Sequence, residues 1–372
     1  MIMWFERDLK YDLWLIMAVV GLVGIGIVMI YSTSSIAADH LYQGNGTFFL
    51  KKQLISAGIG TIAMFAAMHF NYEKLKYLVP IFLIGSAVML VLVLIPGIGT
   101  EVNGGRRWLR ILGFSFQPSE FARLTLIIYL AVSLARKGEL IESFTYGLLP
   151  YLVLAGFFMG LILIEPDMGG AMTIGILLFI MLFVAGAKIR YLLGMVAVAV
   201  PMAFYFIVSE AYRWQRLLAT INPWDYLHTA GWQLVQSLLA FGSGGILGVG
   251  LGQGRQKLFY LPDAHTDFIF SVIGEEFGFV GVIVVLALFG AIAVRGVVVS
   301  VRSSTPTGTY LAFGITMMII VPALINMMVV MGLLPTKGLV LPFVSYGGTA
   351  LIMNMTAAGI LLNVSSKMYR TT

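Results

Sequence analysis

The sequence contains no cysteine and few charged residues. Without cysteine the chain has no disulfide bonds, no thiol catalysis and no cysteine-ligated metal. Charged residues make up 11% of the 372 residues, whereas a soluble domain has about a quarter. Because 59% of the residues are hydrophobic, polar groups cannot cover the surface, and lipid must be the solvent for much of the chain.

The few charges are unbalanced, and the formal net charge is +6. In a membrane protein such an excess serves topology or contacts with anionic headgroups. Because no basic-aromatic repeat or DNA-binding module accompanies it, we do not expect nucleic acid as a partner.

Apolar runs of about 20 residues, the length that spans a bilayer as a helix, recur along the chain. They predict an all-α polytopic membrane protein that forms a single domain over 1–372. It would have about ten transmembrane helices and a large extracellular loop, at about 210–266, between helices seven and eight. The predicted spans are 13–32, 53–70, 77–96, 118–135, 146–164, 168–187, 191–209, 268–294, 309–331 and 349–365. The first run is longer than a signal-peptide core, so we interpret it as a retained helix.

An even number of spans places both termini on one side, and basic residues indicate which side. Every segment on the terminal side carries a basic pair, which favours cytoplasmic termini. These pairs are Arg7 and Lys10, Lys74 and Lys76, Arg136 and Lys137, Lys188 and Arg190, Arg295 and Arg302, and Lys367 and Arg370. The opposite side holds nearly as many basic residues, which topology does not explain.

Within the long loop, 232–251 is almost apolar enough to span the membrane. Its first half has an apolar stripe, including Leu234 and Leu238, that predicts an interfacial amphipathic helix. The glycines from Gly242 to Gly254 should end that helix. We therefore do not count an eleventh span.

Four polar clusters would lie outside the membrane, on the side opposite the termini. The first, 103–110, contains Arg106 and Arg107. Arginines at this position commonly anchor a protein at the interface, and guanidinium groups also match phosphate oxygens in pairs. The third cluster, in the long loop, adds Arg213, Arg216 and Lys257.

The second cluster is the pair Glu165 and Asp167, between the fifth and sixth spans. Two carboxylates without a local basic partner could bind a divalent cation. Asp167 could instead cap the sixth helix, which is the interpretation we favour.

The fourth cluster ends in Asp267, at the mouth of the eighth span. A carboxylate beside apolar Phe268 should be partly desolvated, which raises its pKa and suits a general base. Spacing alone supports equally well a helix cap at Thr266 or Asp267.

Four further charges fall inside predicted spans. Glu275 and Glu276 lie roughly 12 Å below Asp267 by helix rise. Because a bare charge in the bilayer is costly, both should face the bundle, paired or protonated. Arg123 lies one turn from Glu120 and is its expected partner, with a structural ion pair favoured over a functional role.

Together these motifs closely resemble the SEDS family of bacterial cell-wall polymerases, which includes RodA, FtsW and SpoVE. They run in the family's order from the third span to the last, and the fine pattern is more similar to FtsW and SpoVE than to RodA. The matching stretches are 103–110 with 117–120, 165–167, 222–224, 231–257, 261–270, 332–338 and 342–348. Two positions depart from the family: Arg123, where many members have Lys, and Glu165, often Gln.

The resemblance implies a peptidoglycan glycosyltransferase that polymerises lipid II on the outer face of the bacterial cytoplasmic membrane, with a role in septal wall synthesis. It implies an FtsI-like class B penicillin-binding transpeptidase as partner, together with other divisome membrane proteins. The family's essential aspartate falls on Asp267. Expected substrate-binding residues are Arg106, Arg107, Arg213, Arg216, Lys257, His265, Lys337 and Ser345. Mg²⁺ or Mn²⁺ at Glu165 and Asp167 would be the cofactor.

Two other functions remain open. A lipid II flippase would explain the charges inside spans, but it requires polar lining on both sides of the membrane. A noncatalytic divisome scaffold would keep its function when Asp267 is changed.

Overall fold

The computed structural model describes residues 11–42, 44–102, 105–111, 113–258 and 260–368. Of the residues used above, Arg7, Lys10 and Arg370, and the first two of the 103–110 cluster, lie outside this part of the chain.

Each of the ten predicted spans corresponds to a helix. The helices are α1 (Leu13–Leu41), α2 (Phe48–His69), α3 (Leu75–Leu94), α4 (Pro118–Lys137), α5 (Leu149–Ile164), α6 (Met168–Val184), α7 (Ile189–Val208), α10 (Ile269–Val301), α11 (Pro306–Val330) and α12 (Gly348–Met368). Within the described residues, seven helices are long and apolar enough to cross a membrane, and α6 is apolar but shorter. The polytopic all-α class is therefore confirmed, whereas the count of ten spans stays a prediction.

The core of the bundle lies along α11 and α12, whose most apolar segments are 72% and 78% buried. Glycine allows a close approach here: a Cβ on Gly359 of α12 would lie 2.4 Å from the Met64 carbonyl oxygen of α2. Small residues at such contacts let helix backbones pack closely in membranes. By contrast, α7 is only 6% buried and stands at the edge of the bundle.

A small antiparallel sheet between α3 and α4 was not predicted. Its strands are β1 (Gly99–Val102), β2 (Gly105–Ile111) and β3 (Phe114–Phe116), and β2 pairs with both neighbours. The turn into β3 contains Gly113 at φ +84°, a conformation that favours glycine. The arginines that were interpreted as a polar cluster therefore lie on a strand of defined register.

The long loop between α7 and α10 is largely structured. It contains α8 (Ala211–Ile221), a 3₁₀ turn (Pro223–Tyr226) and α9 (Trp232–Gly244). As predicted, α9 forms from the first half of the apolar stretch and ends at the glycines. Its stripe does not face a headgroup interface, however, because Leu234 and Val235 are buried within the protein and Ser237 donates a hydrogen bond to the Val330 carbonyl.

The segment after α9 joins α10 at a break in that helix. At Gly278, φ is +63°, and the hydrogen bonds around it run to the loop instead of along the helix. The carbonyls of Glu275 and Glu276 accept from Val249 and Gly250, and the amides of Phe279 and Val280 donate to Gly245 and Ile246, at 2.9–3.1 Å. We call these four bonds the splice.

The splice bears on the prediction of a wholly extramembrane loop, which stays a prediction. The break lies ~13–16 Å along the helix axis from Asp267, inside the apolar part of α10. The neighbouring side chains of Ile246 and Leu247 are apolar and more than 70% exposed. The loop therefore returns to the depth of the apolar helices before it reaches Asp267.

Candidate active site around Asp267

Asp267 lies directly before α10, where the chain enters the bundle. The N-cap of α10 is Phe268, with no side-chain capping bond, so neither Thr266 nor Asp267 caps this helix. The carboxylate rests against Gly338, where an added Cβ would lie 2.9 Å from Asp267 Oδ2. The absent side chain of Gly338 therefore makes room for the carboxylate.

The surroundings of Asp267 give its carboxyl group the properties of a base at neutral pH. Burial and the charges of Asp263 and Asp167 raise its pKa, while Arg216 and Arg107 lower it. Burial dominates, and the pKa of Asp267 rises to about 7. The group can therefore both accept and release a proton near neutral pH.

Two arginines reach this site from different elements. Arg107 on β2 donates from Nε to the Glu165 carbonyl at 3.0 Å and from Nη2 to the Pro166 carbonyl at 2.6 Å. Arg216 on α8 donates to the Thr336 carbonyl at 3.0 Å. Both guanidinium groups are thus fixed by backbone carbonyls rather than by carboxylates.

Lys337 lies near Asp167, and Arg213 lies near Lys337. The Nζ of Lys337 lies 3.4 Å from Met172 Sδ, and burial lowers the pKa of this amine while Asp167 raises it. The charge of Arg213 also acts on Lys337, and Arg213 donates to the Phe206 carbonyl at 2.9 Å. The site therefore combines the Asp267 carboxyl group, of raised pKa, with four basic side chains.

Arg106 is placed differently, although it neighbours Arg107 in sequence. It forms an exposed ion pair with Glu101 at 3.3 Å. Alternation along β2 directs the two arginines to opposite faces, and only Arg107 contacts the loop beside Asp267. The expectation that both bind substrate is thus not supported for Arg106.

Asp167 caps α6, as the favoured interpretation predicted: Oδ1 accepts from the Gly170 amide at 2.9 Å. Glu165 is fully buried, and in the described part of the chain neither of its carboxylate oxygens has a hydrogen-bond partner. Burial and the charge of Asp167 raise the pKa of Glu165 to about 8. Burial therefore favours the protonated form of Glu165, and its role as a metal ligand stays a prediction.

No cluster of three or more His, Cys, Asp or Glu side chains suited to a metal occurs among the described residues. The carboxylate, imidazole and thiol groups of these described residues therefore supply at most part of a cation site. Mg²⁺ is commonly held by one or two carboxylates together with substrate phosphates. Asp167 suits such a site, because the cap bond uses only Oδ1.

The sequence matches a family model described as cell cycle protein, FtsW/RodA/SpoVE, over residues 13–370. The chain belongs to this family. It is 48% identical to a protein of Geobacter metallireducens named "Probable peptidoglycan glycosyltransferase FtsW", over 97% of this chain and 96% of that protein. It is 41% identical to the stage V sporulation protein E of Bacillus subtilis, over 95% of this chain and 96% of that protein.

Solved structures agree with this assignment. One described as "Structural coordination of polymerization and crosslinking by a peptidoglycan synthase complex" matches with a TM-score of 0.79 and 29% identity, over 97% of this chain and 99% of that chain. The rod shape determining protein RodA of Thermus thermophilus matches with a TM-score of 0.70 and 28% identity, over 95% of this chain and 96% of that chain.

Lys257, expected to bind substrate in this FtsW/RodA/SpoVE chain, lies elsewhere. It is buried, and its Nζ bonds to Glu276 at 2.6 Å and to Ser32 at 2.8 Å. Lys257 follows the splice, and the fold of that loop brings it to α10. The residue is therefore engaged inside the protein, and the expected phosphate contact stays a prediction that these bonds do not favour.

The other intramembrane charges are satisfied as predicted. Glu275 accepts from the backbone amides of Arg255 and Gln256, at 2.7 Å and 3.3 Å. Glu120 and Arg123 form a buried ion pair. Each charge thus has a partner within the bundle.

His265 and Ser345 lie beside Asp267 and contact other parts of the chain. The His265 ring lies 4.7 Å from Phe49 and 5.7 Å from Tyr346, and burial lowers its pKa. The Ser345 hydroxyl donates to the Thr266 carbonyl and accepts from the Leu341 amide. Both residues thus contact the chain beside Asp267, and substrate binding by either residue stays a prediction.

Sequence analysis missed Asn326, which donates to the Asp267 carbonyl at 2.8 Å. An amide side chain inside a largely apolar span was the signal that could have identified it.

Proposed function

We propose that this chain is a peptidoglycan glycosyltransferase that polymerises lipid II in septal wall synthesis, with Asp267 as the general base. The names of the relatives with 46–48% identity support the activity and the division-type role. The observation that carries the residue assignment is a carboxyl group with a pKa of about 7, set against Gly338 between Arg107 and Arg216.

In the proposed reaction, Asp267 accepts the proton of the GlcNAc 4-hydroxyl of one lipid-linked disaccharide. The oxygen attacks the anomeric carbon of the other, and the bond from that carbon to the pyrophosphate oxygen breaks. Undecaprenyl pyrophosphate leaves, and the proton is on Asp267 until water removes it. A base that is half ionised near neutral pH suits both halves of this cycle.

The leaving pyrophosphate gains negative charge as the bond breaks, and preorganised cations stabilise such charge. The candidates are Arg107 and Arg216, whose charges act on Asp267, Lys337, which interacts with Asp167, and Arg213, whose charge acts on Lys337. The backbone bonds of Arg107 and Arg216 fix their guanidinium groups before substrate binds. Asp167 would hold a divalent cation, which would supply further charge to the phosphates.

Two observations favour this function over a lipid II flippase and over a noncatalytic scaffold. The charges inside spans, which suggested a flippase, are paired with one another or with backbone amides. A scaffold would not require a partly buried carboxyl group of raised pKa among four cations.

We further propose that the active site faces the outside of the cytoplasmic membrane, that the termini are cytoplasmic, and that a class B penicillin-binding transpeptidase is a partner. The solved relative from a peptidoglycan synthase complex, described as coordinating polymerization and crosslinking, supports such a partner. Co-purification with the transpeptidase encoded in the same genome tests this part.

The deciding experiment is lipid II polymerisation by the purified protein and its Asp267→Asn variant. We expect a loss of about 10²–10⁴-fold, the usual contribution of a positioned base. Asp225→Asn, at an exposed carboxylate of the same loop, is the matched control and should polymerise normally. Long glycan chains made by Asp267→Asn would overturn the assignment.

A further inference from the structure

Three consecutive backbone carbonyls in front of α10 are each held by a group from another part of the chain. The His265 carbonyl accepts from the Tyr346 amide at 2.9 Å. The Thr266 carbonyl accepts from Ser345 Oγ at 2.6 Å, and the Asp267 carbonyl accepts from Asn326 Nδ2 at 2.8 Å. We call the donors Asn326, Ser345 and the Tyr346 amide the carbonyl clamp.

The same side chains hold the segment that lies on the other side of the Asp267 carboxylate. Asn326 Nδ2 also donates to the Leu339 carbonyl at 2.6 Å, so both hydrogens of the amide are used. Ser345 Oγ also accepts from the Leu341 amide at 2.8 Å. Asn326 and Ser345 are 1% and 4% exposed, so water does not compete for these bonds.

Gly338 lies in the held segment, one residue before Leu339. The clamp therefore sets two positions at once: the backbone of Asp267, and the Gly338 surface against which its carboxylate rests. If the Asp267 backbone moved relative to Gly338, the carboxylate would either be pushed out of its place or have a gap beside it.

We propose that Asn326 and Ser345 are positioning residues for the reaction, which act by holding the Asp267 carboxylate against Gly338. This inference rests on the proposed function of Asp267 as the base. Neither residue touches the reacting atoms. Their effect is geometric, and a misplacement of about 1 Å at a reacting group can lower a rate by about 10²-fold.

A positioning role and a purely structural role of Asn326 and Ser345 predict different changes in the kinetics. Loss of general stability would lower the amount of active enzyme, and would leave unchanged the KM and the pH dependence of the molecules that remain folded. Loosening the clamp lowers kcat with little change in KM, because the cations that bind the phosphates stay in place. It also admits water to the carboxylate, whose other charged neighbours are Asp263, Asp167, Arg107 and Arg216.

The experiment compares Asn326→Leu and Ser345→Ala with wild type in lipid II polymerisation, over a range of pH. For both variants we expect kcat to fall about 10- to 100-fold. The midpoint of the acid limb of the pH profile should move below its wild-type value. Asn354→Leu is the matched control: Asn354 is equally buried, but its amide donates to Ala350 in its own helix. It should leave kcat per folded molecule and the acid limb unchanged.

Wild-type kcat and pH profile in both clamp variants would overturn the proposal, as would equal effects in Asn354→Leu. If Asn326→Leu does not fold, Ser345→Ala, which removes one hydroxyl group, decides by the same two readouts. The proposed function has its own test: it is overturned if Asp267→Asn remains active. An inactive Asp267→Asn with unaffected clamp variants would overturn the clamp alone.

Discussion

Two arginines and two aspartates act on the Asp267 carboxyl group in opposite directions, and burial sets the balance. Because the base form is the active one, polymerisation should rise with pH through the pKa of Asp267. We expect an acid limb with a midpoint at about 7 in a profile of kcat/KM. A profile that stays flat down to pH 5 would show that Asp267 is not the base.

Arg216 offers a way to shift that midpoint. Its positive charge favours the ionised carboxylate and so lowers the pKa of Asp267. Arg216→Gln should therefore move the acid limb to higher pH, in addition to any loss of rate. The comparison is Arg110→Gln, at an exposed arginine of β2, which should leave the limb in place.

The ion pair of Lys257 with Glu276 should matter for stability. Lys257→Met would leave Glu276 buried without its cation, and breaking such a pair costs about 3–5 kcal/mol. We expect a clear fall in the unfolding temperature of the purified protein in detergent. Lys188→Met breaks an exposed pair with Glu142 and should cost at most about 1 kcal/mol. Equal effects of the two substitutions would contradict the buried role of Lys257.

Sequence reasoning succeeded for residues whose role depends on their neighbours in the chain. Asp267 stands beside apolar Phe268 at a helix mouth, and Asp167 precedes the first turn of α6, so both environments could be inferred. Lys257 and Ser345 were assigned to substrate because their partners, Glu276 and Thr266, are distant in sequence. A basic or hydroxyl group shows its role only when the fold determines what lies opposite.

At the level of helices and loops, the splice depends on glycine at the contact between the loop and α10. A Cβ on Gly248 would lie 2.1 Å from the Glu276 carbonyl oxygen, at φ +80°. Gly252 has nearly the same φ, +82°, with open space around it. Gly248→Ala should therefore destabilise the protein much more than Gly252→Ala does. Both substitutions place alanine in a left-handed backbone conformation, but only Gly248→Ala also breaks the splice. Equal unfolding temperatures would argue against the splice.

The spans were predictable because a run of about 20 apolar residues has few alternatives in a membrane. The sheet was not, because β2 holds two adjacent arginines and a third near its end, and this short basic stretch also suits a polar loop. The splice escaped prediction for a different reason. In the splice, four backbone groups of α10 form hydrogen bonds with the loop instead of with each other along the helix. No pattern of side chains in the sequence indicates such a change of backbone partners.

The orientation of the whole molecule can be tested because the sequence has no cysteine, so one introduced thiol reports one position. His228→Cys, in the loop before α9, should react with an impermeant maleimide in intact cells. Ser304→Cys, between α10 and α11, should react only after the membrane is opened. The reverse pattern would place Asp267 on the cytoplasmic side.

The splice has a consequence for how the protein enters the membrane. In lipid, each backbone group without a partner costs several kcal/mol, and α10 on its own would expose four of them at Gly278. The loop that satisfies them is made first, as it precedes α10 in the chain. It must stay beside the insertion channel until α10 emerges, so that the two enter the bilayer as one unit. Lengthening the connection between residues 250 and 269 should therefore impair assembly before it affects the chemistry of the finished enzyme.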